Sequence, residues 1–256
     1  MLDVDEAEGV ARISLNRPQR RNALSHDMYQ GILTAVEEVR ENARVKCVMT
    51  MAAGGVAFCA GGDLFEMRER RRHPERYEDR PALSTTVLHE ALRSLPQTTM
   101  AVVEGYCVGG GMTLLAAHDL AIAATTAEFG LPEVLRGTQS ANAIPVLGKH
   151  LPLKVLLFLA LTGHTMDAYE ALRAGLVSKV VPRDEIHDYA ASLARQIASH
   201  HLGALQLGKR IAYETRDMTC QEGWAHGSRL AAGMGGLPDP VADVEGYLRR
   251  QKRPKA

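Results

Sequence analysis

Three consecutive glycines, Gly109, Gly110 and Gly111, separate the apolar, β-prone run 100–103 from the helix-forming run 112–117. This order constrains the chain more than any other stretch, because it demands a strand, a turn that tolerates no Cβ and then a helix. Such a turn leaves backbone N–H groups unpaired. At the start of a helix these donors, with the positive end of the peptide dipoles, suit an anion or a developing oxyanion. A tight packing turn that binds nothing uses the same residues. A second unit of the same kind lies upstream, where the apolar run 45–51 and the loop 52–55 precede Phe58-Cys59-Ala60-Gly61-Gly62-Asp63-Leu64. Two backbone donors converging on one point form an oxyanion hole for a carbonyl that gains negative charge, so the pair is far more specific than either turn alone.

The rest of the chain reads as one α/β core followed by a helical tail. Strands are expected at 9–15, 45–51, 119–124 and 177–181, and a helix begins after Ser25, with Met28, Ile32, Val36 and Val39 recurring at helical spacing to about residue 42. Residues 68–81 are too polar for a core and read as a solvated, mixed-charge segment before a helix at 82–94. The run 155–161 is apolar nearly all round and predicts a buried helix. Asp167 is placed to cap a helix over 168–174 that Gly175 ends. Helical segments follow near 184–200, 203–215, 221–232 and 240–251. Their apolar positions exceed what a lone helix pair buries, which predicts packing on the core or on a neighbouring subunit.

Global properties exclude several classes. With 256 residues, 46% of them hydrophobic, the chain is ample for a large core, and thirty basic and thirty acidic residues cancel. No global field favours nucleic acid, and the basic runs 68–72 and 249–253 are local. Cys47, Cys59, Cys107 and Cys220 are widely spaced without metal-type pairing, which fits reduced, buried thiols in a cytoplasmic protein. No signal-like segment or membrane-length apolar run is present, so neither export nor a membrane partner is expected. His118 and Asp119 are adjacent, and in a strand they point to opposite faces, so a structural role is expected of the pair.

The motifs above, with Gly105-Tyr106-Cys107-Val108-Gly109-Gly110-Gly111, Phe129-Gly130-Leu131-Pro132-Glu133, the opening Leu15-Asn16-Arg17-Pro18 and Asn22-Ala23-Leu24, occur in order along the chain. So do Leu161-Thr162-Gly163, Ala171-Leu172-Arg173-Ala174-Gly175-Leu176-Val177 and Lys252-Arg253-Pro254. Across essentially its whole length the sequence resembles the crotonase, or enoyl-CoA hydratase/isomerase, superfamily. The resemblance implies a crotonase-like spiral of ββα units over residues 1–195 and a C-terminal helical trimerisation region over 196–256, assembled as a homotrimer or a dimer of trimers. It also implies an acyl-CoA substrate, of the kind met in fatty acid metabolism, with no metal or organic cofactor beyond the coenzyme A that the substrate carries. The peptide N–H groups of Gly62 and Gly110 would hold the thioester oxygen. Arg20, Arg21 and Ala23 would lie near the nucleotide, Ala60, Asp63 and Leu64 along the pantetheine and adenine path, and Lys252 would reach the phosphates. Met67, Gln139 and Asn142 would line the acyl pocket, and Asp63 would cap its turn.

Glu133 matches the superfamily's second catalytic carboxylate and is the expected acid/base. Thr113 departs from the pattern. Two-carboxylate hydratases carry a glutamate there, whereas a hydroxyl orients water and is no base at neutral pH. One carboxylate suffices to remove a proton from one carbon and return it two carbons away, and some hydratase-lyases also use one glutamate. Isomerisation and single-glutamate hydration are therefore both expected. Hydrolysis or carbon–carbon cleavage of a CoA ester lies within the superfamily's range, and a non-catalytic acyl-CoA-binding scaffold is the reading of another class. The polar segment 137–142 departs as well, and Ala141 stands where aryl-CoA dehalogenases place an aspartate nucleophile, which excludes that chemistry.

Overall fold

The computed structural model describes residues 1–78 and 84–234, together with Leu248. It divides into two units, Met1–Ser199 and His200–Ala256. The first unit runs β1 (Leu2–Asp5), β2 (Val10–Leu15), α1 (His26–Glu41), β3 (Cys47–Ala52), β4 (Ala57–Cys59), α2 (Leu64–Arg72), α3 (Thr85–Arg93), β5 (Thr98–Val103), β6 (Tyr106–Val108) and α4 (Gly110–Ala116). It continues through β7 (Leu120–Ala124), β8 (Glu128–Gly130), α5 (Ala143–Leu147), α6 (Leu153–Thr162), β9 (Thr165–Asp167), α7 (Ala168–Arg173), β10 (Lys179–Val181) and α8 (Ile186–Ala198). Short 3-10 turns occupy Pro18–Arg20, Pro74–Tyr77 and Pro132–Arg136. The second unit contains α9 (Leu202–Glu214) and α10 (Cys220–Gly233).

Among the described residues the strands form two sheets, ordered β1-β2-β3-β5-β7-β10 and β4-β6-β8-β9. Each coil of the chain therefore contributes a long strand to the first sheet and a short one to the second: β3 then β4, β5 then β6, β7 then β8. From β2 to β10 the first sheet is parallel. Parallel strands covered on both faces read as continuous apolar runs, and the four residues from Cys47 to Thr50 are all buried. One cover is α8, whose buried Ile186, Ala190, Ala194 and Ile197 form a single stripe and which packs against β2, β3, β5 and β7.

Helix α1 forms as its pattern predicts. The Ser25 hydroxyl accepts from the Met28 N–H at 3.4 Å, and Ile32, Ala35, Val36 and Val39 face the core. Gly31 sits on the exposed side of this helix with open space where a Cβ would be. Gly31→Ala is therefore expected to stabilise the protein by about 0.5–1 kcal/mol through lower unfolded-state entropy, measurable as a raised urea midpoint with an unchanged slope.

Several expectations need correction. The strand β1 was not anticipated, since Leu2-Asp3-Val4-Asp5 is short and half acidic; its antiparallel ladder with β2 holds it. The helix expected to be buried all round is α6, in which Leu156, Leu159 and Ala160 are buried while Leu153, Leu157, Phe158 and Leu161 are exposed, Leu161 by 64%. Only its stripe toward α5 and the turn Pro132–Arg136 is covered. The polar segment expected to lie outside the core does so where it is described: α2 runs to Arg72 and a 3-10 turn follows over Pro74–Tyr77, neither with a buried residue. His118 follows α4 rather than lying in a strand. Its Nδ1 contacts the Leu114 carbonyl and its Nε2 the Thr50 hydroxyl, both at 2.8 Å, so its ring is held within the core. Cys47, Cys59 and Cys107 are buried but Cys220 is exposed at the start of α10. Burial pushes the Cys47 and Cys59 thiols up to about 12 and Cys107 well above the ordinary thiol range.

In the second unit α10 begins with a reciprocal capping box between Thr219 and Glu222, no residue of α9 or α10 is fully buried, and Trp224 is 74% exposed. The helix expected at 240–251 lies outside the described residues apart from Leu248. Among the described residues no helix is long and apolar enough to cross a membrane.

Candidate active site

Strands β4, β6 and β8 are neighbours in the second sheet and run parallel. Whatever follows each strand therefore emerges on the same edge, the usual place for a ligand in a parallel sheet. After β4 come Gly61 and Gly62, after β6 come Gly109 and Gly110, and after β8 comes Leu131-Pro132-Glu133. The sheet thus gathers three segments that are far apart in the chain.

The backbone of Gly62 is oriented by its neighbours. Leu24 donates to the Gly61 carbonyl at 2.7 Å, and its own carbonyl accepts from the Asp63 N–H at 3.0 Å. In this parallel bridge between Leu24 and Gly62, Leu24 uses both its backbone groups, so the N–H of Gly62 points to the opposite side. That side holds the second turn. A Cβ on Gly110 would stand 3.4 Å from the Gly62 nitrogen and 2.9 Å from Thr85 Cγ2, and a Cβ on Gly61 would stand 3.1 Å from the Gly110 nitrogen. The two amides lie side by side only because no side chain separates them. Neither N–H has a hydrogen-bond partner among the described residues.

Glu133 lies in the first turn of Pro132–Arg136, with Pro132 at the helical position where a missing N–H costs nothing. Its Oε1 occupies the space a Cβ on Gly109 would fill, 2.6 Å away, and its Oε2 is buried without a hydrogen-bond partner among the described residues. Gly109 has φ 57° and ψ −122°, a conformation that side chains oppose. Thr113 is fully buried one turn into α4, and its hydroxyl likewise has no partner among the described residues. Met67 brings its Sδ to 3.4 Å from the position of a Gly62 Cβ.

A layer of polar contacts holds the first turn. Asp63 caps α2 by accepting from the Phe65 and Glu66 N–H groups at 2.9 and 3.2 Å, and its other oxygen meets Arg17 Nη1 at 2.7 Å. Burial alone would raise the Asp63 carboxyl, but the Arg17 hydrogen bond and charge together with the two backbone donors hold it below the usual carboxylate range. Asn22 is fully buried. It accepts from the Arg17 N–H at 2.8 Å and donates to the carbonyls of Ala53 and Ala57 at 3.0 and 2.8 Å. Arg17 and Asn22 stand in the sequence motifs ahead of α1 without a role that the sequence assigns them. The signal was a polar pair just ahead of α1, and its meaning depends on where β4 ends.

Asp63→Asn keeps an oxygen for the cap and removes the charge that Arg17 faces. Its expected cost is about 2 kcal/mol at neutral pH. Because the folded carboxyl is depressed, this contribution is complete above the ordinary aspartate value of about 4 and disappears as pH falls through the lower folded value. Urea titrations at neutral and acid pH check the sign: the difference between wild type and variant must shrink on acidification.

The remaining candidates lie in various places. Arg20 is exposed and stacks its guanidinium 4.4 Å from the centre of the Phe65 ring. Exposed Arg21 adopts a left-handed backbone with φ 49°, and its carbonyl accepts from Ala60 at 3.1 Å, so these two are neighbours. Ala23 accepts from Arg17 through its carbonyl, and Leu64 is half exposed at the start of α2. Gln139 turns its amide to the Ala160 carbonyl at 3.1 Å, and Asn142 is exposed ahead of α5. Lys252 lies outside the described residues.

Fold and site together describe a spiral α/β protein that presents two backbone donors and one carboxylate on a single sheet edge. Residues 5–232 match the family model described as enoyl-CoA hydratase/isomerase. The (E)-benzylidenesuccinyl-CoA hydratase of Thauera aromatica is 34% identical, over 96% of this chain and 94% of that protein. The 2,3-dehydroadipyl-CoA hydratase of Escherichia coli (strain K12) is 30% identical, over 98% of this chain and 96% of that protein. The crystal structure of an enoyl-CoA hydratase from Mycobacterium smegmatis superposes with a TM-score of 0.86 at 29% identity, covering 98% of this chain and 96% of the other. The chain belongs to the enoyl-CoA hydratase/isomerase family, and its fold is the crotonase fold.

Proposed function

We propose that this protein is an enzyme acting on an acyl-CoA thioester through an enolate, with Glu133 as its single acid/base. The observation that carries the reading is the Glu133 carboxylate, packed against Gly109 with Oε2 buried and without a hydrogen-bond partner among the described residues, beside the paired Gly62 and Gly110 amides. Removing a proton from C2, or adding a nucleophile at C3 of a conjugated thioester, places charge on the thioester oxygen. Two N–H donors preorganised at that oxygen stabilise the charge, and losing one such donor typically costs about 100- to 1,000-fold in turnover. The carboxylate carries the proton. No cofactor is needed beyond the coenzyme A of the substrate.

Two reactions fit. The hydratase names of the relatives from Thauera aromatica and Escherichia coli favour hydration of a 2-enoyl-CoA. Thr113 in place of a second carboxylate favours a double-bond shift, for which one carboxylate suffices. For the nucleotide we assign Arg20, Arg21 and Ala23, with Ala60, Asp63 and Leu64 along the pantetheine and Lys252 toward the phosphates. Met67, Gln139 and Asn142 are assigned to the acyl end. The exposed apolar residues of α6, with the largely unburied α9 and α10, support a homotrimer or a dimer of trimers.

The test follows C2-proton exchange and product formation on 2-enoyl- and 3-enoyl-CoA, for wild type and Glu133→Gln. A wild-type protein that binds CoA esters tightly and exchanges no proton is not this enzyme. Exchange that survives the substitution unchanged removes Glu133 as the base.

A further inference from the structure

We infer that Arg136 binds a second carboxylate on the substrate, so that the acyl group this protein favours ends in a carboxylate rather than a methyl group. The inference rests on the reading of Glu133 given above and adds to it the residue that reads the far end of the acyl chain.

The 3-10 turn Pro132–Arg136 sets the direction of its side chains. With three residues per turn, side chains three positions apart eclipse one another, so Glu133 and Arg136 share a face and stand about 6 Å apart along the axis. The other faces are taken up elsewhere. A Cβ on Gly163, which ends α6, would stand 2.8 Å from Leu135 Cγ and 3.2 Å from Val134 Cγ1, so these two side chains pack toward the end of α6. The face left over carries Glu133, whose Oε1 sits against Gly109 beside the paired amides, and then Arg136 one turn further on. Burial follows the same order, since Glu133 is half-buried and Arg136 exposed. The base lies inside the site and the guanidinium at its rim.

Arg136 is also free to take a ligand. It has no ion pair or hydrogen bond among the described residues. Residues 134–166, which include all of α5 and α6, contain no aspartate or glutamate. Helix α6 packs on this turn, and its one charged residue is the cation Lys154. Positive charge without a local counter-charge attracts an anion. In the proposed reaction the thioester oxygen sits at Gly62 and Gly110 and C2 at Glu133. An acyl chain that continues past Glu133 along the shared face runs toward Arg136. Beyond it Thr138, Gln139 and Asn142 present exposed polar side chains rather than an apolar wall. A carboxylate at the end of that chain forms a bidentate pair with the guanidinium, which a methyl group cannot do.

The experiment uses wild type, Arg136→Gln and Arg136→Lys with 2-enoyl-CoA esters of six to eight carbons, each length in a form ending in a methyl group and a form ending in a carboxylate. Turnover gives kcat/KM for each pair, and calorimetry gives Kd for the corresponding saturated esters. Wild type is expected to favour the carboxylate form at one length or more by about tenfold in both readouts, the worth of one hydrogen-bonded charge pair. Arg136→Gln should abolish that preference. Arg136→Lys keeps the charge without the fork and should retain part of it. A wild type that treats both forms alike at every length overturns the inference and leaves the chemistry at Glu133 standing. So does a preference that survives Arg136→Gln, or an equal fall on both forms in that variant, which would mark Arg136 as structural. Should wild type turn over neither form, the proposed function fails, and the ratio of dissociation constants still decides this inference.

Discussion

Glu133→Gln is expected to lower C2-proton exchange by about 100- to 10,000-fold while the protein remains folded. The amide keeps the size of the carboxylate and cannot accept a proton at neutral pH. Because Oε2 has no hydrogen-bond partner among the described residues, the exchange breaks no described contact at that atom. The fold is held elsewhere, by the six-stranded sheet and its covering helices. Exchange rates and thermal melts on the same preparations separate chemistry from stability. A fall of less than about tenfold would move the proton transfer to another group, and a large drop in melting temperature would assign the loss to folding.

Gly109→Ala should be nearly as damaging, for a different reason. The backbone there sits at φ 57° and ψ −122°, where a side chain costs about 1–3 kcal/mol of strain. The new Cβ would also fall 2.6 Å from Glu133 Oε1, so the carboxylate must leave its position. A displacement of about an ångström from a productive geometry can cost roughly 100-fold. The variant is therefore expected to lose stability by about 1–3 kcal/mol and exchange activity by about two orders of magnitude. Gly31→Ala, with open space and a helical backbone, changes stability in the opposite direction. Denaturant melts of both variants beside exchange assays on Gly109→Ala make the comparison. Near-normal exchange in Gly109→Ala would show that this glycine does not seat the carboxylate.

Much of the fold was legible in the sequence because its signals are local. The apolar spacing of α1 and its Ser25 cap, the continuous runs of β3 and β5, and the Asp167 cap of α7 all depend on residues within a turn or a strand of one another. The motif order identified the family without any knowledge of contacts. Where local signals conflicted with packing, the reading was wrong. The uniform apolarity of α6 predicted burial on every side, yet the chain covers only one stripe of it. In β1, acidic residues hid a strand that exists through its pairing with β2.

Sequence alone determined that two glycine turns follow β-prone runs and precede helices, and, through the family resemblance, that Glu133 is the expected carboxylate and that Thr113 stands where a second one would. Its reach ended there, since glycine runs and a lone glutamate also occur as packing turns and surface loops. Tertiary structure decided that β4, β6 and β8 are parallel neighbours, which brings Gly62, Gly110 and Glu133 to one edge. It also decided that Arg17 and Asn22 hold the first turn and that Glu133 Oε1 takes the space of a missing Cβ on Gly109. The physical reason is one of range. Propensity and capping act over a few residues and are written in sequence order, whereas an unpaired N–H or a buried oxygen acquires its meaning from groups that only the packed sheets bring near.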